Sequence, residues 1–446
     1  MATPIPRNQA TFSLAEIAAI TGGQLHGNDR SVRGVTTDSR RLHDHELFVA
    51  LSGERFDGHD YLTQVAEAKA CAVVRRGSER PAELACVEVD DTLVALGAIG
   101  NAHRRRWTGR IVGITGSAGK TSTKELTAAA LRGAGRRVRA TEGNLNNRVG
   151  VPMTLLTLED EDEVGVIEMG TSEKGEIRVL AAMTEPDVAV LTLVSAAHTE
   201  GLGGVDAVRQ EKTDLFRGRR EGAPAIAPSD DPTLAGFGAR TFGPGEHADV
   251  QVLAWRLEGA RTNVSLRVGT TTLEVSLQWL GEAAARNTAA ALLVVDSLGE
   301  DVARAAKALS DVAPVPGRMC PRDASGVLVL DDSYNANPRS MSLALSTARE
   351  LATSRKGSLV AVLGTMGELG DLSDDAHATL RGEAEKRTDR AIFVGPGFAK
   401  TGSVVENAAA AIESLGALAP GDVLLVKGSR TWRLEQVVDH VCGGGR

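Results

Sequence analysis

Gly113-Ile-Thr-Gly-Ser-Ala-Gly-Lys-Thr-Ser-Thr-Lys124 decides how the rest of the chain is read. Arg110-Ile-Val-Gly-Ile ahead of it has the composition of a buried strand, and Glu125-Leu-Thr-Ala-Ala-Ala-Leu after it predicts a helix. Strand, glycine-rich turn and helix in that order turn backbone N–H groups and a positive helix end toward one point, which is how proteins cradle phosphate. In that cradle Gly116, Ser117, Gly119 and Ser122 surround the anion, Lys120 sits on the β/γ-phosphates of a nucleoside triphosphate, and Thr121 ligates Mg²⁺. The spacing is a variant, because Ile114 stands where the usual pattern asks for glycine, flanked by Gly113 and Gly116. A purely structural glycine turn is the competing reading; the strand before and the helix after favour the phosphate site.

Working outward, 446 residues exceed one ordinary core and give a length prior of about three domains. The chain is 42% hydrophobic and 24% charged, as an ordinary globular protein is, and with only 3% aromatic residues its cores must be built from Val, Leu and Ala. A net charge of −8 argues against a nucleic-acid partner, which requires a surplus of Lys and Arg on one face. The basic runs His103-Arg-Arg-Arg106 and Arg217-Gly-Arg-Arg220 read as solvated helix ends or loops. Cys71, Cys86, Cys320 and Cys442 form no C-x-x-C pair, so neither a zinc site nor a disulfide framework is expected. Met1-Ala-Thr-Pro-Ile-Pro-Arg-Asn8 lacks the apolar core of a signal peptide, and no stretch is long and apolar enough for membrane insertion, so a cytoplasmic location is expected.

The pattern along the chain is α/β. Short apolar runs alternate with helical segments from Phe12 to about Val89, and Ser13 has the position of an N-cap. A helix from Thr92 to Arg106 leads to the P-loop strand. Glu163-Val-Gly-Val-Ile-Glu-Met-Gly, Val188-Ala-Val-Leu-Thr-Leu-Val and Ala223-Pro-Ala-Ile-Ala then repeat strand and helix, the signature of a largely parallel sheet. Residues 248–280 alternate β-branched and polar residues and predict antiparallel hairpins appended to that sheet. Ala313-Pro-Val-Pro-Gly-Arg318 is a candidate hinge, and four further apolar runs after it predict a second doubly wound unit. The boundaries drawn are 1–107, 108–313 and 314–446.

Three further groups carry chemistry. Glu168 ends an apolar strand as Glu-Met-Gly, at the carboxyl edge where doubly wound sheets bind ligands; a metal ligand and a solvated strand-end acid are equally good readings of it. His198 and Glu200 follow another strand, and their proximity to a triphosphate site favours metal coordination by His198. Lys212, in Val208-Arg-Gln-Glu-Lys-Thr-Asp, looks like an ordinary exposed helix lysine.

Taken together, Gly113 to Lys124, Glu142-Gly-Asn-Leu-Asn-Asn-Arg-Val-Gly-Val-Pro152, Glu168-Met-Gly170, His198-Thr-Glu200, Asp332-Ser-Tyr-Asn-Ala-Asn-Pro-Arg-Ser-Met341 and Val426-Lys-Gly-Ser-Arg430 resemble the Mur ligases in order and spacing. Thr37-Asp-Ser-Arg40 and Gly53-Glu-Arg-Phe-Asp-Gly-His-Asp60 extend the resemblance to nearly the whole chain. It implies a small N-terminal α/β domain for a UDP-linked substrate, a central ATP-binding domain and a C-terminal Rossmann-like domain that receives the incoming amine. It also implies a reaction: ATP-dependent joining of D-alanyl-D-alanine to UDP-N-acetylmuramoyl tripeptide through an acyl phosphate, by a monomer.

Carried over residue by residue, the resemblance makes Lys120 the phosphate lysine, Thr121 and Glu168 ligands of one Mg²⁺, and His198 a ligand of a second. Lys212 becomes a carbamylated lysine beside the metals. Asn287, Arg318, Asp332 and Asn335 hold ATP; Lys427 and Arg430 serve the dipeptide; Asn144, Asn146 and Asn147 line the muramoyl-peptide channel; Asp38, Ser39 and Arg40 serve the uridine nucleotide. Ala118, Ala283 and Thr365 depart from the residues the family usually carries at those positions. Two rivals remain: a sister ligase using another amine, and a nucleotide-binding scaffold that has lost catalysis, motivated by Ala118, Ala283 and Ala284.

Overall fold

A computed structural model describes residues 3–54, 56–196 and 199–443. Among these, three larger sheets mark three α/β domains, and a small antiparallel pair (Thr11–Ser13 with Ser31–Arg33) lies in the N-terminal one. The N-terminal sheet runs, in spatial order, Gln24–His26, Cys86–Val89, Cys71–Arg75, Leu47–Val49, Val35–Thr36. Ser13 caps the first helix, its hydroxyl accepting the Glu16 N–H at 3.1 Å. Cys71 and Cys86 are both buried and both reduced.

The central sheet has nine strands. Its P-loop strand, Arg110–Thr115, lies between Val164–Glu168 and Val188–Leu191, both parallel to it. The chain first visits one side of that strand (Val138–Ala140, then Val164–Glu168) and then crosses to the other, so a crevice opens at the carboxyl ends around it. Ile111, Val112 and Ile114 are fully buried, because helices cover both faces and divide the apolar core into two clusters. Val250–Glu258, Arg261–Val268 and Thr271–Leu277 form the expected antiparallel hairpins; they continue the same sheet, through a parallel pairing of Val250–Glu258 with Arg240–Gly243.

The C-terminal sheet orders Cys320–Ala324, Val327–Asp332, Val423–Lys427, Leu359–Gly364, Arg390–Val394, parallel except for the first strand, with apolar clusters on both faces. The Thr92–Arg106 helix has the expected limits, and its basic end is solvated at Arg105 and Arg106 as expected but not at Arg104. Arg104 is fully buried: it donates to the Thr184 carbonyl at 3.1 Å and pairs with Asp187 at 2.8 Å, and Arg220 of the other basic run meets the same carboxylate at 3.0 Å. Burying a guanidinium requires such pairing, and these arginines are spent on it.

Candidate active site

The glycine turn has the close backbone approach that a phosphate cradle requires, because two of its glycines cannot be replaced. A Cβ on Gly116 would stand 1.9 Å from Thr192 Oγ1, and Gly119 has φ +81° with Asn287 Oδ1 2.9 Å from where its Cβ would be. Ile114, the departure from the usual spacing, is an interior strand residue and plays no part in the turn. The helix begins at Lys120, five residues earlier than its apolar pattern indicates, so Lys120, Thr121 and Ser122 form its first turn with their backbone N–H groups facing the crevice.

Lys120 Nζ donates to the Gly116 carbonyl at 2.7 Å. Removal from water lowers its pKa, the charges of Glu168 and Glu368 raise it, and Arg318 lowers it, so these groups share one electrostatic neighbourhood. Glu168 is buried at the end of its strand, level with Ile114 of the P-loop strand. Its Oε1 accepts from Asn146 Nδ2 at 2.8 Å, and its Oε2 is buried without a hydrogen-bond partner among the described residues. An orphaned, buried carboxylate oxygen beside a threonine-bearing phosphate loop is the donor chemistry of a hard cation. Thr121 Oγ1 accepts from Arg318 Nη2 at 3.2 Å. No cluster of three His, Cys, Asp or Glu side chains forms a metal cage among the described residues; Mg²⁺ characteristically needs only one or two carboxylates, completing its shell with phosphate and water. His198 lies outside the described residues.

Lys212 is the clearest correction. It is fully buried, and its Nζ has no hydrogen-bond partner among the described residues. Burial first, then repulsion from Lys120, holds its pKa well below the ordinary lysine value, with Glu211 opposing. The signal was available in the helix Val205–Arg217: Val208, Leu215 and Phe216 are buried at spacings of four, three and four residues from Lys212, which puts the lysine on the apolar face.

The opposite wall of the crevice comes from the C-terminal domain. A cavity of about 460 Å³ runs from Ser117–Ser122 across Asn287 to Arg318, Asp332, Asn335 and Lys427. Lys427, buried, pairs with Asp332 at 2.7 Å and donates to the Asn335 carbonyl at 2.9 Å. Burial pushes the Asp332 carboxyl up; Lys427, Arg318 and the Met319 N–H pull it back. Asn287 Oδ1 accepts from Thr123 Oγ1 at 3.2 Å. The chain's motifs did not single out Asn337, whose Nδ2 donates to the Ser117 carbonyl at 3.3 Å and ties the two domains at the cradle. Its place before Pro338, as the helix N-cap, was the available signal.

The other candidates sit apart from that cavity. Asn144 bonds Thr3 at 2.7 Å, Asn146 orients Glu168, and Asn147 Oδ1 accepts the Val149 and Gly150 N–H groups at 3.1 and 2.8 Å. Asp38 caps the turn Ser39–Arg41 and pairs with Arg40 at 2.7 Å, which holds its carboxyl below the usual range. Arg430 is half-exposed, 3.4 Å from Glu435, with its guanidinium 5.8 Å from the Tyr334 ring; Arg318 lies 4.1 Å from the same ring.

Family models match along the chain: "Mur ligase family, catalytic domain" over residues 31–132, "Mur ligase middle domain" over 114–295, and "Mur ligase, glutamate ligase domain" over 317–430. UDP-N-acetylmuramoyl-tripeptide–D-alanyl-D-alanine ligase of Escherichia coli (strain K12) is 36% identical over 450 residues, covering 96% of this chain and 98% of the relative. The protein of that name from Bacillus subtilis (strain 168) is 33% identical, covering 96% of both chains. A crystal structure of MurF from Acinetobacter baumannii superposes with a TM-score of 0.89 at 30% identity, covering 98% of this chain and 100% of that one. MurF ligase from Thermotoga maritima in complex with ADP gives 0.84 at 28% identity, covering 92% and 97%.

Proposed function

The chain belongs to the Mur ligase family, and on that premise we propose that it is the ATP-dependent ligase joining D-alanyl-D-alanine to UDP-N-acetylmuramoyl tripeptide, a step of peptidoglycan precursor synthesis. One observation carries the chemistry: the glycine turn, Lys120, the orphaned Glu168 oxygen and the buried Lys212 amine occupy one neighbourhood, facing a wall that holds Arg318. A carboxylate is a poor acyl donor, and transfer of the γ-phosphoryl group makes it a good one. The barrier is the approach of two anions, so the protein must chiefly position them and neutralise charge. Lys120 and the amides of the first helical turn do so on the phosphate side, and Arg318 reaches in from the C-terminal domain. Thr121 and Glu168 would hold Mg²⁺, with His198 on a second ion; bound there, Mg²⁺ supplies Lewis-acid neutralisation of the phosphate charge. The dipeptide's amine then attacks the acyl carbon and inorganic phosphate leaves.

Lys212 fits carbamylation. A buried amine whose proton is held less tightly is the better nucleophile toward CO₂, and the anionic carbamate would turn repulsion from Lys120 into attraction. Asn287, Asp332 and Asn335 are read as the ATP-holding residues because they line the cavity; Asp38 to Arg40 and Asn144 to Asn147 are read as the UDP-substrate side. Boundaries near 107/108 and 313/314 belong to this reading, supported by the helix ending at Arg106 and by the first C-terminal strand at Cys320. So does a cytoplasmic monomer; no helix among the described residues is long and apolar enough to cross a membrane.

Phosphate release from ATP and Mg²⁺, with UDP-muramoyl tripeptide and either D-alanyl-D-alanine, single amino acids or no amine, tests the proposal. Release that requires both tripeptide and dipeptide is expected. Release with a different amine reassigns the chain to a sister reaction, and ATP binding without release under any condition supports a scaffold.

A further inference from the structure

Resting on the proposed Mg²⁺ site, we infer that Lys124 is a positioning residue: through Thr141 it fixes where Glu168 stands relative to Thr121, the other proposed ligand of the ion. No step of the proposed reaction uses Lys124. It lies one turn past Lys120 in the helix Lys120–Gly133, three residues beyond Thr121, and it is fully buried.

A lysine removed from water must be held by partners, and the partners show what it fastens. Lys124 Nζ donates to the Thr141 carbonyl at 2.7 Å and pairs with Glu125. Glu125 is its immediate neighbour and keeps a third of its side chain in water, so the Thr141 carbonyl is the contact that joins two elements. Thr141 is itself buried, directly after the strand Val138–Ala140. Its N–H donates to the Val166 carbonyl at 3.0 Å, as a parallel ladder requires. The next step of that ladder would bring the Glu168 N–H onto the Thr141 carbonyl. The Glu168 N–H instead donates to Thr141 Oγ1 at 3.0 Å, and the carbonyl accepts from Lys124. Lys124 therefore holds the chain at the point where it leaves the sheet, beside Glu168.

The loop that starts at Thr141 returns to Glu168. Asn146 Nδ2 donates to Glu168 Oε1 at 2.8 Å, and the Gly170 N–H donates to the Asn146 carbonyl at 2.8 Å. Glu168 is gripped at its N–H by Thr141 and at one carboxylate oxygen by Asn146, and Oε2 is the atom left over among the described residues. Both grips belong to the loop whose first residue Lys124 fastens to the helix that opens with Lys120 and Thr121. One continuous path runs from Thr121 along a helical turn to Lys124, then to Thr141 and Glu168. Mg²⁺ demands near-octahedral oxygen ligands at about 2.1 Å, so a small change in the spacing of its two protein ligands weakens its hold.

The test reads metal binding rather than turnover. Mn²⁺, a paramagnetic stand-in for Mg²⁺, is titrated into the full-length protein saturated with a non-hydrolysable ATP analogue, and the free ion is followed by electron paramagnetic resonance. Lys124→Met keeps the length of the side chain and loses the donor; it is expected to weaken Mn²⁺ binding by about tenfold, the usual effect of losing a group that orients a metal ligand. Binding of the analogue in EDTA should be unchanged, because Lys120 and the loop amides are untouched. Thr141→Val should weaken Mn²⁺ binding by a similar factor and Thr141→Ser should not, since serine keeps the hydroxyl that accepts the Glu168 N–H. The double variant Lys124→Met/Thr141→Val should bind no worse than the weaker single variant, as members of one path do. A folded Lys124→Met that binds Mn²⁺ like wild type overturns the inference. Equal Mn²⁺ affinities of Thr141→Val and Thr141→Ser overturn it too, and that pair decides the matter if Lys124→Met does not fold. Wild type that holds Mn²⁺ no better than the free analogue does defeats the metal site and the inference with it; a wild-type site that neither substitution moves defeats the positioning role alone.

Discussion

The two walls of the crevice treat their charges in opposite ways. Among the described residues of the central-domain wall, Lys212 Nζ and Glu168 Oε2 are buried without hydrogen-bond partners, and Lys120 Nζ donates to a backbone carbonyl. On the C-terminal wall Asp332 has Lys427 and the Met319 N–H, and Asp331 has Ser333 and the Gly317 N–H. An unpartnered buried charge costs several kcal/mol, so a fold tolerates it only where something else completes it. On the proposed reading the first wall is therefore a half-made site that phosphate, Mg²⁺ and CO₂ would complete; the second is scaffolding, already paired, that presents Arg318 and the cavity lining. Substitutions on the first wall should remove activity and leave the fold, and those on the second should damage the fold.

The largest effect is expected at Lys120. On the proposed reading Lys120→Ala removes the charge that would neutralise the transferring phosphoryl group, and turnover should fall by about a thousandfold or more while circular dichroism and the unfolding midpoint stay near wild type. Retained turnover would remove the P-loop assignment, and with it the view of this wall as a site. Lys212→Ala comes next: most activity should disappear, the protein should become no less stable because a costly buried amine is gone, and short carboxylates added to the assay should restore part of the rate. An alanine variant as active as wild type would strike Lys212 from the mechanism.

Across the crevice, Lys427→Met should behave differently. It strands the Asp332 carboxylate in a largely buried position, at a cost of about 3–5 kcal/mol, seen as a lower urea midpoint for the C-terminal domain. The double variant Lys427→Met/Asp332→Asn should regain much of that loss, since a neutral amide tolerates burial better than a lone carboxylate. If the single variant unfolds like wild type but fails to bind ATP, the C-terminal wall is functional rather than structural and the contrast collapses.

That contrast was only half legible in the sequence. The glycine turn, the place of Glu168 and the alternation of strand and helix could be read because they depend on local patterns: apolar runs, glycines, and a carboxylate at a strand end. Burial of Lys212 and Arg104 could have been read from helical spacing, since Leu96, Gly100 and Arg104 fall on one face just as Val208, Lys212 and Phe216 do, but a charged residue argues for solvent until a partner is known. The commitment of Lys427 to Asp332 joins residues nearly a hundred positions apart, and the hydrogen bond from the Glu200 N–H to the Glu368 carbonyl joins two domains. Pairings of that kind depend on tertiary register, which no local pattern encodes.

The smallest expected effect lies in a third region, where a charge is paired but wet. In the N-terminal domain Asp57 accepts from the His59 backbone N–H at 3.0 Å, from its ring Nδ1 at 2.6 Å and from Ser52 at 2.9 Å, and these bonds, the backbone one foremost, lower its pKa to about 2. His59 Nε2 in turn accepts the Arg75 N–H at 2.9 Å, so the pair fastens a loop to the sheet. Because the folded pKa lies below the ordinary value of 3.8, the contribution is complete above about pH 4 and disappears as pH falls toward about 2. With 36% of the Asp57 side chain exposed, solvent screening reduces the stabilisation to about 1 kcal/mol. Asp57→Asn should therefore be less stable than wild type by that amount at neutral pH, with the difference closing as acid is added. A difference that stays constant down to pH 2 would mean that the amide fails through its shape rather than its charge, and that a wet, paired carboxylate contributes through hydrogen-bond geometry alone, unlike the buried Asp332.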